Sequence, residues 1–250
     1  MPTNQLSPDL ADDVVRNRDR MLPSQPFLRR FFDGDDGSFY RQLENVTTSV
    51  LPVKSIHDKW DVHLKPEFSY EALGSDLAAL HHLQLLVRLL QCRQVLEVGT
   101  YVGVSSLFLA EAVGPEGSVT TVEVGAEFAK IAQENFRRNG LAQRIELINA
   151  DVFAALPMLQ QREKRYGLIF LDADKEHYGN LLAPLLALLQ DGGLLIVDDI
   201  FLQGDVLNAP PTTGKGRGVK DLLDKVAALS DHPKVVLPYG NGQLLIMKPA

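Results

Sequence analysis

The sequence predicts an α/β protein built on a doubly wound, mostly parallel seven-stranded sheet that closes with a C-terminal antiparallel hairpin. Three observations carry this. From Gln94 onward, short apolar runs alternate with segments of helical periodicity, the pattern of strands joined by right-handed crossovers. Two of those runs, 168–171 and 194–197, are apolar at every position, as strands buried on both faces of a parallel sheet are. The last two strand-like runs have no helix between them and must run antiparallel.

In chain order, residues 1–70 stand apart. They hold Pro2, Pro8, Pro23, Pro26, Pro52 and Pro66 and the turn-like Asp33-Gly34-Asp35-Asp36-Gly37. Short helices and irregular segments are expected there, with the first few residues disordered. This N-terminal extension is expected to make substrate and oligomer contacts, and a second domain spans 71–250. Leu73, Leu77, Leu80, Leu83, Leu86, Val87 and Leu90 fall at helical spacing and predict an amphipathic helix over 73–90. Strands are then predicted at 94–98, 118–123, 144–149, 167–172 and 193–198. Helices are predicted at 103–113, 126–139, 152–161, 177–190 and 217–230. The turn-rich stretch 201–218 predicts a mobile loop over the sheet edge. Val235-Val236-Leu237 and Leu244-Leu245-Ile246-Met247, around Tyr239-Gly240-Asn241-Gly242, predict the hairpin.

The chain has 250 residues, 45% hydrophobic and 23% charged, with a net charge of −7, so a nucleic-acid partner is not expected. The single cysteine, Cys92, excludes an intrachain disulfide and fits a reducing compartment. No apolar run approaches the roughly 18 residues of a spanning helix, and the start lacks a basic and then apolar leader. A soluble, cytoplasmic protein without membrane contact is expected.

Val95-Leu96-Glu97-Val98-Gly99-Thr100-Tyr101-Val102-Gly103 reads as a strand entering a glycine turn and a helix. Gly99 allows the tight turn and Gly103 a close backbone approach. The spacing is G-x-x-x-G, not the G-x-G-x-x-G of a pyrophosphate site, so a cofactor without pyrophosphate fits better. Ser105, in the first helical turn, can bind a carboxylate beside free N–H groups. Glu123 ends the second strand and can accept from both ribose hydroxyls. Asp151 ends the third strand; it can accept from an adenine amino group, cap the following helix, or both. The bland alternative is a plain βα turn with no ligand.

Asp172, Asp198 and Asp199 follow two apolar runs. If those strands are neighbours, their ends lie about 4.8 Å apart. Three like charges sharing a site call for a cation or a shared proton. Oxygen ligands of this kind suit a hard divalent metal. Alternatively the three acids cap βα turns. Lys175 is the one nearby group that can accept a proton, or it neutralises Asp172 and Asp174. His177 is expected to be solvated. Tyr101, Tyr178, Phe201 and Trp60 can stack on an aromatic substrate or pack in the core, where Cys92 is also expected.

Residues 97–105 (Glu97-Val98-Gly99-Thr100-Tyr101-Val102-Gly103-Val104-Ser105), Val122-Glu123-Val124, Leu171-Asp172-Ala173-Asp174-Lys175-Glu176-His177-Tyr178 and Val197-Asp198-Asp199 together resemble the cation-dependent class I O-methyltransferases, including the caffeoyl-CoA and catechol O-methyltransferases and their bacterial relatives. The resemblance covers about residues 73–250. It implies a Rossmann-like class I methyltransferase fold and S-adenosylmethionine as methyl donor. It places Glu97, Gly99 and Ser105 at the methionine end, Glu123 at the ribose and Asp151 at the adenine. Tyr101, Gly103 and Asp172 are implied as cofactor contacts too. The implied metal (Mg²⁺, with Mn²⁺ or Ca²⁺ as alternatives) falls on Asp172, Asp198 and Asp199, and the implied base on Lys175. Asp199 stands where the family has asparagine.

The chemistry implied is methyl transfer to a hydroxyl of a small, catechol-like vicinal diol held on the cation, by an enzyme that forms homodimers. A non-aromatic enediol or natural-product hydroxyl is the alternative acceptor. An NAD-dependent oxidoreductase is disfavoured by the glycine spacing and the terminal hairpin, and a regulatory protein with a dead site by the presence of Asp172, Lys175 and Asp198.

Overall fold

The computed structural model describes residues 49–51, 53, 55–65, 74, 75, 77–238 and 241–250. Expectations for residues 1–48 and 66–73, and for Tyr239 and Gly240 in the hairpin turn, lie outside the described residues. The strands are β1 (Gln94–Val98), β2 (Ser118–Glu123), β3 (Ile145–Asn149), β4 (Tyr166–Leu171), β5 (Leu189–Val197), β6 (Lys234–Leu237) and β7 (Gln243–Met247). The helices are α1 (Ile56–Lys59), α2 (Leu77–Leu89), α3 (Val104–Ala112), α4 (Ala126–Arg138), α5 (Val152–Gln161), α6 (Tyr178–Leu188) and α7 (Gly214–Ala227). Short 3-10 helices span Ala142–Arg144, Lys175–His177 and Leu202–Leu207.

One seven-stranded sheet results, in the order β3-β2-β1-β4-β5-β7-β6. Its first five strands pair in parallel, and β7 pairs antiparallel with both β5 and β6. Period-two alternation divides the strand side chains between two apolar layers. Val95, Leu168, Phe170, Ile196 and Leu245 meet α2, α3 and α4 through Leu80, Leu83, Leu107, Phe108 and Phe136. Leu96, Val98, Ile169, Leu171, Val197 and Ile246 meet α5, α6 and α7 through Leu159, Leu181, Leu185 and Leu222. Leu168 through Leu171 have no solvent exposure, because β4 is central and covered on both faces. Leu85 and Leu89 remain exposed on the outer side of α2.

Two segments differ from expectation. Strand β5 begins at Leu189, not at 193, and runs through Asp191-Gly192-Gly193. The N–H of Gly192 donates to Lys248 O (3.1 Å) and that of Lys248 to Gly193 O (2.9 Å), so pairing continues where the composition reads as a turn. The stretch 201–218 is not an irregular loop: it holds the 3-10 helix Leu202–Leu207 and the first turn of α7. Asp205 organises it, accepting from Asn208 Nδ2 (3.1 Å) and from the N–H and hydroxyl of both Thr212 (2.8 and 2.7 Å) and Thr213 (3.1 and 2.6 Å). Thr213 in turn caps α7, accepting from Gly216 N at 2.8 Å. Gly218 lies inside that helix because the backbone beside it leaves no room for a side chain: a Cβ there would sit 2.2 Å from Lys175 O and 2.5 Å from Glu176 O.

Candidate active site

From β1 the chain moves to β2 and β3; from β4 it moves the other way, to β5. The crevice between the β1 and β4 ends is therefore the sheet's switch point, where open α/β sheets bind ligands. A cavity of about 540 Å³ opens there, within the roughly 300–1,000 Å³ of small-molecule sites. Gly99, Tyr101 and Ser105 line it from the glycine turn, Glu123 and Val124 from the end of β2, Asp151 and Phe153 from beyond β3, and Asp172 and Lys175 from beyond β4.

The glycine turn is shaped by contact. Gly99 has φ +99°, and a Cβ there would fall 1.8 Å from the carbonyl oxygen of Asp172. Only glycine lets the β1 and β4 turns meet so closely. Gly103, at φ +85°, faces α4 rather than the cavity; its Cβ would strike the Phe136 ring at 2.4 Å. The Glu123 carboxylate braces the turn, accepting from Thr100 N (3.1 Å), Tyr101 N (2.8 Å) and Gly125 N (2.8 Å). That bracing holds Tyr101 at φ +49°, its ring edge-on to Phe128 with centroids 4.9 Å apart.

Glu97 is not in the cavity wall. Strand alternation turns it under α3, where it has no solvent exposure. Its Oε2 accepts from the hydroxyls of Ser106 and Thr121, the latter at 2.6 Å. Its Oε1 is buried without a partner. Ser105, the residue before Ser106 on α3, lines the cavity. Burial pushes Glu97 up to about 7, against the opposing effect of the neighbouring serine and threonine hydroxyls, with the charge of Asp172 adding to the rise.

Beyond β4 and β5, the three aspartates do not form one cluster. Asp172 Oδ1 and Asp199 Oδ2 each lie 3.0 Å from Lys175 Nζ. Asp198 instead accepts from the N–H of Asp199 (3.1 Å). Among the described residues, no three His, Cys, Asp or Glu side chains gather as a metal site. The ammonium draws two carboxylates together, and the left-handed turn at Asp199 (φ +59°) occupies the third. Burial alone would pull Lys175 down; Tyr178, Asp172 and Asp199 outweigh it and hold the ammonium above its ordinary range. Lys175 is thus a fixed cation in this arrangement. The donor set nonetheless fits a hard cation: two carboxylate oxygens already converge on one positive centre, and a third carboxylate is next in the chain.

Asp151 caps α5, accepting from Phe153 N at 2.8 Å, and it lines the cavity as well. Tyr178 and Trp60 are core residues, not stacking platforms at the cavity. The Tyr178 hydroxyl accepts from Ala173 N (3.2 Å), directly beneath the Asp172 turn. Phe201 packs against Gly242. Cys92 is buried, and burial pushes its thiol up to about 11. Several lining residues were not singled out from sequence: Ser75, which reaches Asp172 Oδ2 at 3.4 Å, and Phe128, Phe153 and Lys215. Phe153 lies two residues beyond a strand-end acid, a position that could have flagged it. His177 is exposed, as expected, and lines the cavity mouth edge-on to Phe153 with centroids 5.7 Å apart.

A family profile described as O-methyltransferase matches residues 66–249. The chain belongs to the O-methyltransferase family. It is 35% identical over 125 residues to the catechol O-methyltransferase of Mycobacterium tuberculosis, covering 50% of this chain and 56% of that protein. It is 32% identical over 139 residues to that of Niastella koreensis, covering 55% and 63%. The matched stretch thus spans less than two thirds of either relative. Identity to caffeoyl-CoA O-methyltransferase 2 of Eucalyptus globulus is 31% over 207 residues, covering 78% of this chain and 83% of that protein. Among solved structures, the O-methyltransferase TomG from Streptomyces achromogenes, in complex with SAM, superposes with a TM-score of 0.75 at 26% identity, over 84% of this chain and 96% of that one. The family's sheet, with its C-terminal antiparallel pair, is the sheet found here.

The cavity fits a nucleoside with a charged amino-acid tail. Val124, Phe128, Val152 and Phe153 offer flat apolar walls, Glu123 an acceptor, and Ser105 a hydroxyl at the first turn of α3. No helix among the described residues is long and apolar enough to cross a membrane.

Proposed function

We propose that this chain transfers the methyl group of S-adenosylmethionine to a hydroxyl of a small, catechol-like vicinal diol. The observation that carries the reading is one cavity joining the Gly99 turn and Glu123 to the Asp172–Lys175 pair, in a chain of the O-methyltransferase family. The relatives' names support the acceptor class.

Methyl transfer is an in-line displacement, so the work of the protein is to hold the acceptor oxygen against the sulfonium carbon. The rigid β1 and β4 turns, in contact at Gly99, provide that registration. Ser105, Glu123 and Asp151 are the groups we assign to the donor's methionine, ribose and adenine. Asp172, Asp198 and Asp199 would hold a divalent cation, which when bound lowers the pKa of a coordinated hydroxyl. Lys175 is the group assigned to the acceptor's proton. It can take a proton only after losing its own; while Asp172 and Asp199 grip it, it contributes a positive charge that favours an ionised acceptor.

The test is product analysis by mass spectrometry: a panel of catechols with S-adenosylmethionine, with Mg²⁺ and then with strong chelation. A singly methylated catechol that disappears on chelation is the expected result. No thermal stabilisation by S-adenosylhomocysteine would refute the donor assignment, and unimpaired turnover under chelation would refute the cation.

A further inference from the structure

The cavity wall carries charges of both signs, and among the described residues all but one are answered inside the protein. Glu123 accepts from three backbone N–H groups, Asp151 caps α5, and Asp172 pairs with Lys175. Asp174 accepts from Glu176 N at 3.3 Å and lies 3.9 Å from His177 Nε2. Lys175 is held between Asp172 and Asp199. Lys215 is the exception: it lines the cavity but makes no ion pair or hydrogen bond to any described residue.

Lys215 is exposed in the first turn of α7, a turn that holds no acid. A carboxylate one residue away is passed over. Glu176 lies against Gly214, where a Cβ would meet its Oε1 at 2.2 Å, yet no ion pair joins it to Lys215. The other base in those turns, Arg217, donates to the carbonyls of Pro211 (3.4 Å) and Thr212 (3.2 Å). Position also separates Lys215 from the methyl donor. The groups assigned to the donor follow β1, β2 and β3. Lys215 rides on α7, whose Gly218 abuts Lys175 O and Glu176 O, so it is anchored to the turn after β4 that carries Asp172 and Lys175. The donor's single carboxylate is already assigned to Ser105, on α3. An unanswered ammonium on a cavity wall favours an anion there, and the second reactant is left to supply it.

We propose that Lys215 selects an acceptor that carries a carboxylate besides its two hydroxyls, a dihydroxy aromatic acid in preference to a neutral or amine-bearing catechol. The diol end lies at Asp172 and Lys175 and the acid end at Lys215, which fixes the ring at two points. Lys215 meets the substrate away from the reacting atoms, so it sets specificity and not the chemical step. The inference rests on the acceptor reading given above.

The experiment is steady-state kinetics of the whole protein with S-adenosylmethionine and Mg²⁺ on three compounds with adjacent hydroxyls: dihydroxyphenylacetate, its amide, and dihydroxyphenylethylamine. Aliphatic carbon insulates the hydroxyls from the differing group in each. Wild type should favour the acid over the amide by about fivefold in kcat/KM, the upper range for an exposed ion pair. The preference should lie in KM more than in kcat and shrink with added salt. Lys215→Ala should bring acid and amide level, Lys215→Arg should keep the preference, and Lys215→Glu should turn it toward the amine. Lys215 is exposed and without internal polar contacts, so the three variants should fold. Their calorimetric affinity for S-adenosylhomocysteine should stay within about twofold of wild type. Equal use of acid and amide by wild type, a preference that survives Lys215→Ala, or a variant that loses S-adenosylhomocysteine affinity overturns the assignment of Lys215 and leaves methyl transfer to catechols standing. Methylation of none of the three compounds, with S-adenosylhomocysteine bound, overturns the acceptor reading and the assignment with it.

Discussion

Gly99→Ala is the sharpest test of how the two turns are joined. At φ +99° a side chain is strained, a cost of about 1–2 kcal/mol. The new Cβ would begin 1.8 Å from Asp172 O and 2.6 Å from its carbon, and real Cβ atoms essentially never come under 3.0 Å. Backbone faces backbone here, so no flexible side chain can move aside. The turn after β4 has to retreat by over 1 Å, stretching the Asp172 N–H bond to Val98 O, now 2.9 Å. Overpacking of this kind adds roughly 1–3 kcal/mol. Together the variant should lose about 2–5 kcal/mol in urea denaturation. Because the shifted turn carries Asp172 and Lys175, turnover should fall about 100-fold, the usual consequence of a 1 Å misplacement. The stability loss alone could mimic inactivity, so activity is read well below the variant's melting temperature. A variant within about 0.5 kcal/mol of wild type, the range of ordinary surface changes, that keeps full turnover would refute the idea that this contact registers the site.

Two further outcomes follow from individual contacts. Asp205→Ala removes five hydrogen bonds from the segment leading into α7 and should cost about 2 kcal/mol, discounted for partial exposure. Burial would raise Asp205, but the Thr212 and Thr213 bonds outweigh it and hold it well below the usual carboxylate range. Its contribution is thus complete above the unfolded carboxylate pKa and lost as pH falls toward the depressed one. The stability gap between wild type and variant should therefore close in acid, and a gap that persists at low pH would count against the hydrogen-bond account. Tyr178→Phe removes the acceptor of Ala173 N–H and should cost about 1–2 kcal/mol. Turnover should drop while affinity for S-adenosylhomocysteine stays within about twofold, since the Tyr178 hydroxyl supports the Asp172 turn and not the donor walls; equal losses in both would contradict this.

The sheet was legible in the sequence because its strands are buried on both faces, so β1 and β2 fall on their predicted bounds and β4 within one residue. What misled were glycines. Residues 191 and 192 fall between the predicted helix 177–190 and strand 193–198, yet they belong to β5 because the chain beyond β7 supplies hydrogen-bond partners from about 55 residues away. Gly214, Gly216 and Gly218 read as loop, yet they lie in the first turns of α7, where the Thr213 cap starts the helix and the backbone of the 175–177 turn leaves Gly218 no room for a Cβ. Composition reports a residue's freedom; tertiary contact decides how that freedom is used. Glu97 shows the opposite case. Its placement behind the wall was derivable, since it lies two residues after Val95 and shares that core-facing side of β1.

Asp199 is an aspartate where the family resemblance implies asparagine, and the structure gives that difference a place. The backbone there is left-handed, a conformation aspartate and asparagine tolerate alike, so the turn itself does not discriminate between them. Charge does. An amide oxygen could accept from the Lys175 ammonium but could not form an ion pair with it, and the ammonium would then pair with Asp172 alone. With Asp199 present, two carboxylates flank one ammonium at 3.0 Å each. That arrangement favours the charged lysine and, by the same attraction, keeps two hard oxygen ligands pointed at a single centre. One residue therefore strengthens the hold on the cation already in the chain, and a divalent cation bound as proposed above would have to compete with that ammonium for the same carboxylates.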